Sequence, residues 1–421
     1  MTFVHSCSSV CLLIFSVLFI IIAIRTWTFS VRVDKVRECR SVDSDFIQAT
    51  DEVIERFQKA LKFQTVSVEP HVYNTSELHQ LKEFIKSAFP TIHGSPLVTF
   101  EEVANYSLLY TVQGSDGTLA PYFLAAHLDV VPVSPELWDA PPFGAEIRDG
   151  FIYARGTIDF KQGVMGILEA LEYLLSRGIK PRRSFYIGFG HDEEVNNQVK
   201  VGTTEKGQVI IELKVKGEPG HSSMPKKESA ISILAKAVVK FLSRKPSTNA
   251  ITRTVTSVTL IQGGVKVNII PPEATAYVNH RIHPSQSVQE IIDYDRQIIN
   301  DERVQIRASY SMEPHPLSPY GDEDFGYQTI KNSIRQVWKE AVVAPGVMIG
   351  NTDSRHYIRF TTNIYRFSPT FMFPDDVKRF HGNNERMSVK NYEQVVNFYY
   401  HVMMNADQEK LPPFHQHSSE L

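Results

Sequence analysis

Apolar positions follow two rhythms along this chain, and the change from one to the other divides it. Over 45–63 the residues Val53, Ile54, Phe57 and Leu61 stand at i, i+1, i+4 and i+8, which predicts an amphipathic helix. "APYFLAAHLDVV" predicts a buried strand running into a polar loop. "KQGVMGILEALEYLLSRG" predicts a helix with Val164, Ile167, Leu168, Leu171 and Leu175 on one face, closed by Gly178. "RRSFYIGFG" reads as a further buried strand. Strand, loop, helix and strand in this order predict an α/β domain with a mostly parallel sheet.

From about Glu205 the period becomes two. In "GQVIIELKVKG", Ile211, Leu213 and Val215 oppose Glu212, Lys214 and Lys216, as a sheet with one wet face requires. A helix follows (Ile231, Leu234, Val238, Leu242), then strands "TVTSVTLIQ" and "EATAYVNHRI", a helix near "SVQEIIDYDRQIIN" and a strand "VQIRASY". That is β-α-β-β-α-β, a ferredoxin-like module. Helical patterns resume at 324–341 and 389–405, so the module is inserted into the first domain. The expected division is 45–204 and 313–408 for the α/β domain, 205–312 for the module, and a disordered tail at 409–421.

Ahead of these lies an unbroken apolar run, Val10 to Ile24, ending at Arg25. It falls short of the roughly 20 residues a spanning helix needs, which favours a signal peptide over residues 1–30; a single-pass membrane anchor is the alternative. The expected location is outside the cell or in the secretory lumen, with membrane contact only through this segment. The sequons at Asn74 and Asn105 fit that route. A length of 421 residues, 42% of them hydrophobic, suffices for two packed domains. Its 44 basic and 47 acidic residues are intermixed, so nothing favours a nucleic-acid partner. Of three cysteines, Cys7 and Cys11 lie in or beside the apolar run, which leaves Cys39 and no internal disulfide framework.

Four short stretches carry candidate chemistry. In "AAHLDVVP" a neutral His127 at a strand end can bind a metal, and Asp129 at i+2 can orient it. In "ARGTIDFKQG" Asp159 directly precedes a helix, where it serves either as a ligand or as an N-cap. "GHDEEV" sets Glu193 and Glu194 after a strand, where one acid can ligate while the other moves protons. "KRFHGNNERM" offers His381, followed by a glycine that lets the backbone turn. Together they form a mixed nitrogen and oxygen set suited to one or two Zn²⁺ ions.

In the order "AHLDVVP", "YARGTIDFKQG", "GHDEEV", "GHSSMP", "VNIIPP", "GNTDSR" and "HGNNE", the chain resembles the aminoacylase and carboxypeptidase S family of co-catalytic zinc amidohydrolases. The resemblance implies a zinc-binding α/β catalytic domain with an inserted ferredoxin-like lid. It implies hydrolysis, or the reverse synthesis, of the amide between an acyl group, here a fatty acid, and an amino acid. His127 would bind one zinc, Asp159 would bridge two, and Glu194 and His381 would complete the second. Glu193 would be the general base, with Asp129 orienting His127. His221 on the lid would stabilise the oxyanion, reaching across a homodimer, while Arg355 grips the substrate carboxylate and Asn268 adds a hydrogen bond. The chain departs from the family between the acid pair and the lid, where "VNNQVKVGTTEKG" holds no counterpart of an Asp-Glu-Gly motif that ligates the first zinc. A second shortening falls at "FLSRKPSTNAITRTV", and Phe160 stands where relatives often carry a second Asp. The alternative function is therefore a catalytically impaired chain that acts as a binding or regulatory partner.

Overall fold

The computed structural model describes residue 20 and residues 36–196, 204–216, 220–221, 229–242, 253–348 and 352–408. Apart from Ile20, the apolar run and the tail lie outside the described residues. Among those described, no helix is long and apolar enough to cross a membrane. Residues 38–411 form one unit, to which every element named below belongs.

Helix α1 (Asp51–Lys62) buries Val53, Ile54, Phe57, Ala60 and Leu61, which is the predicted stripe with Ala60 added. Acidic Asp51 and Glu52 open it and Lys59 and Lys62 close it, in the sense the helix dipole favours. Helix α2 (Thr75–Ala88) begins on Asn74, whose side chain accepts from the Glu77 N–H. A hairpin follows, β1 (Val98–Val103) and β2 (Ser107–Val112), turning through Ala104 and Asn105, both at positive φ. Next come β3 (Tyr122–His127), β4 (Glu146–Arg148), β5 (Phe151–Tyr153), α3 (Lys161–Ser176), β6 (Phe185–Gly190) and the single turn α4 (Glu193–Asn196).

The main sheet has the order β1-β2-β6-β3. Only β3 and β6, joined through α3, run parallel; the other pairs are antiparallel. The expected mostly parallel sheet is therefore mixed, because a hairpin unassigned from sequence extends it on one side. The strands are also half-buried rather than buried on both faces. Phe185, Ile187 and Phe189 point into the core, whereas Phe123 and Tyr186 on the opposite face remain 37% and 38% exposed. A sheet covered on both sides would hide them.

The module holds its six predicted elements, β7 (Gly207–Lys216), α5 (Ala230–Leu242), β9 (Val255–Gly263), β11 (Glu273–Ile282), α6 (Val288–Ile299) and β12 (Val304–Met312), and adds an unpredicted two-residue pair, β8 (Gly220–His221) and β10 (Ile269–Ile270). Its antiparallel sheet has the order β9-β11-β7-β12, the ferredoxin-like arrangement. Val209, Ile211, Leu213 and Val215 are fully buried against Leu234 of α5 and Ile291 and Ile299 of α6, and the residues between them face outward. A capping box of Ser287 and Glu290 starts α6, and Asn300 in a left-handed conformation ends it.

The chain then returns to the first core through α7 (Phe325–Val337), β13 (Arg386–Ser388) paired with β5, and α8 (Val389–Ala406). Ile334, Met387, Tyr392 and Val395 share one apolar cluster with Phe57 and Leu168. Helices α3 and α8 approach closely at Gly166, where a Cβ would stand 2.6 Å from Val395 Cγ1. Gly166→Val should therefore lower stability by about 1–3 kcal/mol through overpacking, read as a fall in the urea midpoint at unchanged slope.

Candidate metal and catalytic site

The parallel strands β3 and β6 set the base of the site. Their register pairs His127 with Gly190, and the Leu128 N–H donates to the Gly190 carbonyl at 2.7 Å, so both strands end together. His127 and Asp129 leave from one strand end and Glu193 and Glu194 from the other, at the carboxyl edge where α/β sheets collect ligands. Asp129 spans the gap. Its carboxylate accepts from the backbone N–H groups of Glu193 and Glu194 at 3.2 and 3.1 Å. His127 Nδ1 lies 3.0 Å from the Asp129 carbonyl and 3.3 Å from Oδ1, so main chain and side chain both orient the ring. With Nδ1 held as a donor, Nε2 is the nitrogen turned inward, where it carries a proton toward Asp159 until a metal replaces it.

Asp159 does not cap α3; that position belongs to Phe160, whose side chain accepts nothing. Asp159 instead stands between the two histidines, with Oδ1 3.1 Å from His127 Nε2 and Oδ2 2.8 Å from His381 Nε2. His381 Nε2 is also 3.1 Å from Glu194 Oε2. The turn that delivers His381 differs from expectation. The histidine itself takes the left-handed conformation, at φ 56°, and Gly382 serves a different need, since a Cβ there would overlap the Lys378 carbonyl. Phe160 is buried and stacks near the His127 ring at 5.9 Å, adding an apolar wall.

Charge in this space is unbalanced. Both oxygens of Glu193 are buried without a hydrogen-bond partner, and the Glu194 carboxylate is buried with His381 Nε2 3.1 Å from its Oε2. Burial pushes the Glu193 carboxyl well above its ordinary range, and burial with the neighbouring Asp159 charge lifts Glu194 to about 7. Asp159 goes the other way: burial opposes its charge, but the bonds to both histidines bring it down to about 2. For His381, burial is outweighed by its bonds to Asp159 and Glu194, and the ring rises to about 9. His127, Asp159 and Glu194 each place a ligand atom within 4.8 Å of the others. Orphaned buried carboxylate oxygens beside two imidazoles make a donor set that a divalent cation fits.

A cation must displace protons from both His127 and His381, which sets a pH dependence. Affinity of the metal-free protein for Zn²⁺ is expected to climb with pH through neutrality and on through about 9, where His381 loses its proton. Titration calorimetry in buffers of differing ionisation enthalpy will show protons released on binding at neutral pH, and fewer once the pH passes the His381 value.

Two further residues of these motifs join the site although the sequence does not single them out. Glu385, in "HGNNE", is fully buried. Its Oε1 accepts from the N–H groups of Gly156, Ile158 and Asp159 at 3.1, 2.6 and 3.2 Å, and Oε2 pairs with Arg155 Nη1 at 2.7 Å. It thus holds the loop that presents Asp159. Asp353, in "GNTDSR", opens a short 3₁₀ turn and comes 3.2 Å from where a Cβ on Gly190 would stand. Burial raises its carboxyl and the His127 charge opposes that rise, which places it on the same acidic cluster. Arg355 follows on this turn, partly buried. Asn268 is exposed in the turn before β10. The His221 backbone pairs with Ile269, and its side chain lies outside the described residues.

Residues 123–405 match the model of peptidase family M20/M25/M40. The N-fatty-acyl-amino acid synthase/hydrolase of Xenopus tropicalis is 40% identical, over 96% of each chain. That alignment runs over 491 positions, at least 70 more than the 421 residues here, so the frog protein carries internal text that this chain lacks. A probable carboxypeptidase S-like protein of Dictyostelium discoideum is 36% identical over 87% of each chain. In fold, an M20 family metallo-carboxypeptidase from Sulfolobus solfataricus superposes with a TM-score of 0.62 over 85% of this chain and all of its own, at 15% identity.

Proposed function

Because the chain belongs to peptidase family M20/M25/M40 and is an enzyme of its metal-dependent type, we propose that it hydrolyses, and in reverse forms, the amide bond of N-fatty-acyl amino acids, with zinc as its metal. The substrate class is taken from the Xenopus relative, an N-fatty-acyl-amino acid synthase/hydrolase. The observation that carries the chemistry is the Glu193 carboxylate, buried and without a hydrogen-bond partner, whose Oε2 lies 3.9 Å from His127 Nε2 at the edge of the four-residue ligand cluster.

His127, Asp159, Glu194 and His381 would hold the zinc, which supplies a Lewis acid for the amide carbonyl and an acidified water. Glu193 takes the proton of the attacking water on a carboxylate oxygen and delivers it to the leaving amine nitrogen. Its raised proton affinity suits both halves of that task. Asp129 keeps the His127 ring and the Glu193–Glu194 turn in one frame. On this reading Arg355 grips the amino-acid carboxylate, Asn268 adds a hydrogen bond, and His221 from a second copy of the chain stabilises the oxyanion. Secretion through the apolar N-terminal run belongs to the same proposal, and both sequon asparagines, Asn74 and Asn105, are exposed.

The shortened text favours a second reading, a binding partner with impaired catalysis. No Asp occurs in "VNNQVKVGTTEKG", and the alignment spans more positions than the chain has residues. Zinc content of the purified full chain, measured beside hydrolysis of an N-fatty-acyl-phenylalanine, separates the two. Turnover that scales with bound zinc is the expected result. A folded, zinc-loaded chain with no turnover would establish the second reading.

A further inference from the structure

A second set of side chains of the types that bind metals lies where the chain first meets α8, apart from the acid cluster. Cys39, Asp45 and His401 offer one sulfur, one oxygen and one nitrogen, all within 4.8 Å of one another. Cys39 is 8% exposed and His401 2%. His401 Nε2 is buried with no hydrogen-bond partner. Burial lowers the ring to about 4, so it stays neutral, with a lone pair free, at ordinary pH. Cys39 Sγ stands 3.7 Å from Asp45 Oδ1. Two ligands at about 2.3 and 2.0 Å from a tetrahedral zinc lie about 3.5 Å apart, so this spacing is close to that of ligands sharing one ion.

The backbone beneath these groups is fixed in advance. The Cys39 N–H donates to the Gln336 carbonyl on α7 at 2.8 Å. Ile47 and Asn397 of α8 exchange two bonds, at 2.8 and 2.7 Å, and the Ala49 N–H donates to Glu393 at 2.9 Å. Segment 39–49 is thereby stitched to both helices before any ion binds.

The geometry points to a structural metal site in which Cys39, Asp45 and His401 bind a zinc-type divalent cation, with water in the fourth position. A mixed sulfur, nitrogen and oxygen set selects zinc over the hard cations Mg²⁺ and Ca²⁺. The sulfur ligates as thiolate, so binding releases the Cys39 thiol proton to solvent. The ion fastens segment 39–49 to α8 and takes no part in catalysis.

Sulfur provides the test, because the acid cluster offers only nitrogen and oxygen. The full chain loaded with Co²⁺ should show thiolate-to-cobalt charge-transfer absorption in the near ultraviolet. The band should persist in His381→Ala, which weakens the acid cluster, and in a Cys7→Ser/Cys11→Ser background. It should vanish in Cys39→Ser together with one bound ion per chain. Should Cys39→Ser fail to fold, His401→Gln should lose the same ion and most of the band. Absence of the band in folded wild-type protein at saturating Co²⁺ would overturn the assignment. So would a band and a metal count that Cys39→Ser or His401→Gln leaves unchanged.

Discussion

Glu193→Gln is expected to keep the metal and lose turnover by about 10²–10⁴-fold, the span that a positioned proton carrier contributes. Glutamine preserves the shape of the side chain and occupies the same buried space, so the proposed ligands His127, Asp159, Glu194 and His381 are left in place. What it removes is a basic oxygen. The wild-type carboxyl is held well above its ordinary range by burial, against the pull of the His127 charge. The acidic limb of the kcat/KM profile should therefore shift or disappear in the variant, while metal content by mass spectrometry stays at the wild-type value. Turnover close to wild type would remove Glu193 from the role.

Glu385→Ala is expected to be the most damaging single change outside the proposed ligands. It deletes the acceptor for three backbone N–H groups and leaves Arg155, itself 2% exposed, with an unpaired charge in the interior. Breaking a buried pair in this way costs about 3–5 kcal/mol, a large share of the 5–15 kcal/mol that stabilises a typical domain. The loop carrying Asp159 also loses its anchor, so zinc affinity should fall as well. Glu385→Gln, which still accepts hydrogen bonds at one oxygen, should recover part of the stability. Glu385→Ala combined with Arg155→Met should recover more, since no stranded charge remains. Urea midpoints and zinc affinities of the three variants check this. Equal loss in Glu385→Ala and in the double variant would mean that the stranded guanidinium contributes nothing.

The site was legible in the sequence wherever chemistry and secondary structure coincide. His127 ends β3, Asp159 stands just before α3 and Glu194 falls in the single turn α4, and the structure brings these three and His381 within ion-pair distance of a neighbour in the set. The β7 strand was legible because each inward residue alternates with a charged or outward one. Glu385 was not, because its partners lie up to 230 residues upstream and nothing in "HGNNER" sets it apart from a solvated acid. The exposure of Phe123 and Tyr186 was hidden for a different reason. An apolar run reports that a strand is apolar, and only the packing around it decides which faces are covered. The hairpin β1–β2 went unassigned since "VTFEEV" mixes apolar and acidic residues at an edge where most of them are exposed.

The Ile158–Glu385 bond crosses 227 residues of chain, which gives the site an order of birth. At roughly 5–20 residues per second of synthesis, the loop holding Asp159 waits on the order of 10–45 s before its anchor emerges. His127 and the Glu193–Glu194 pair can take their places on the strand ends well before that. The last donor to arrive is His381, followed within four residues by the carboxylate that locks the loop. A nascent chain thus cannot assemble the four-residue cluster before residue 381 has emerged, and the loop that carries Asp159 stays unanchored for four residues more.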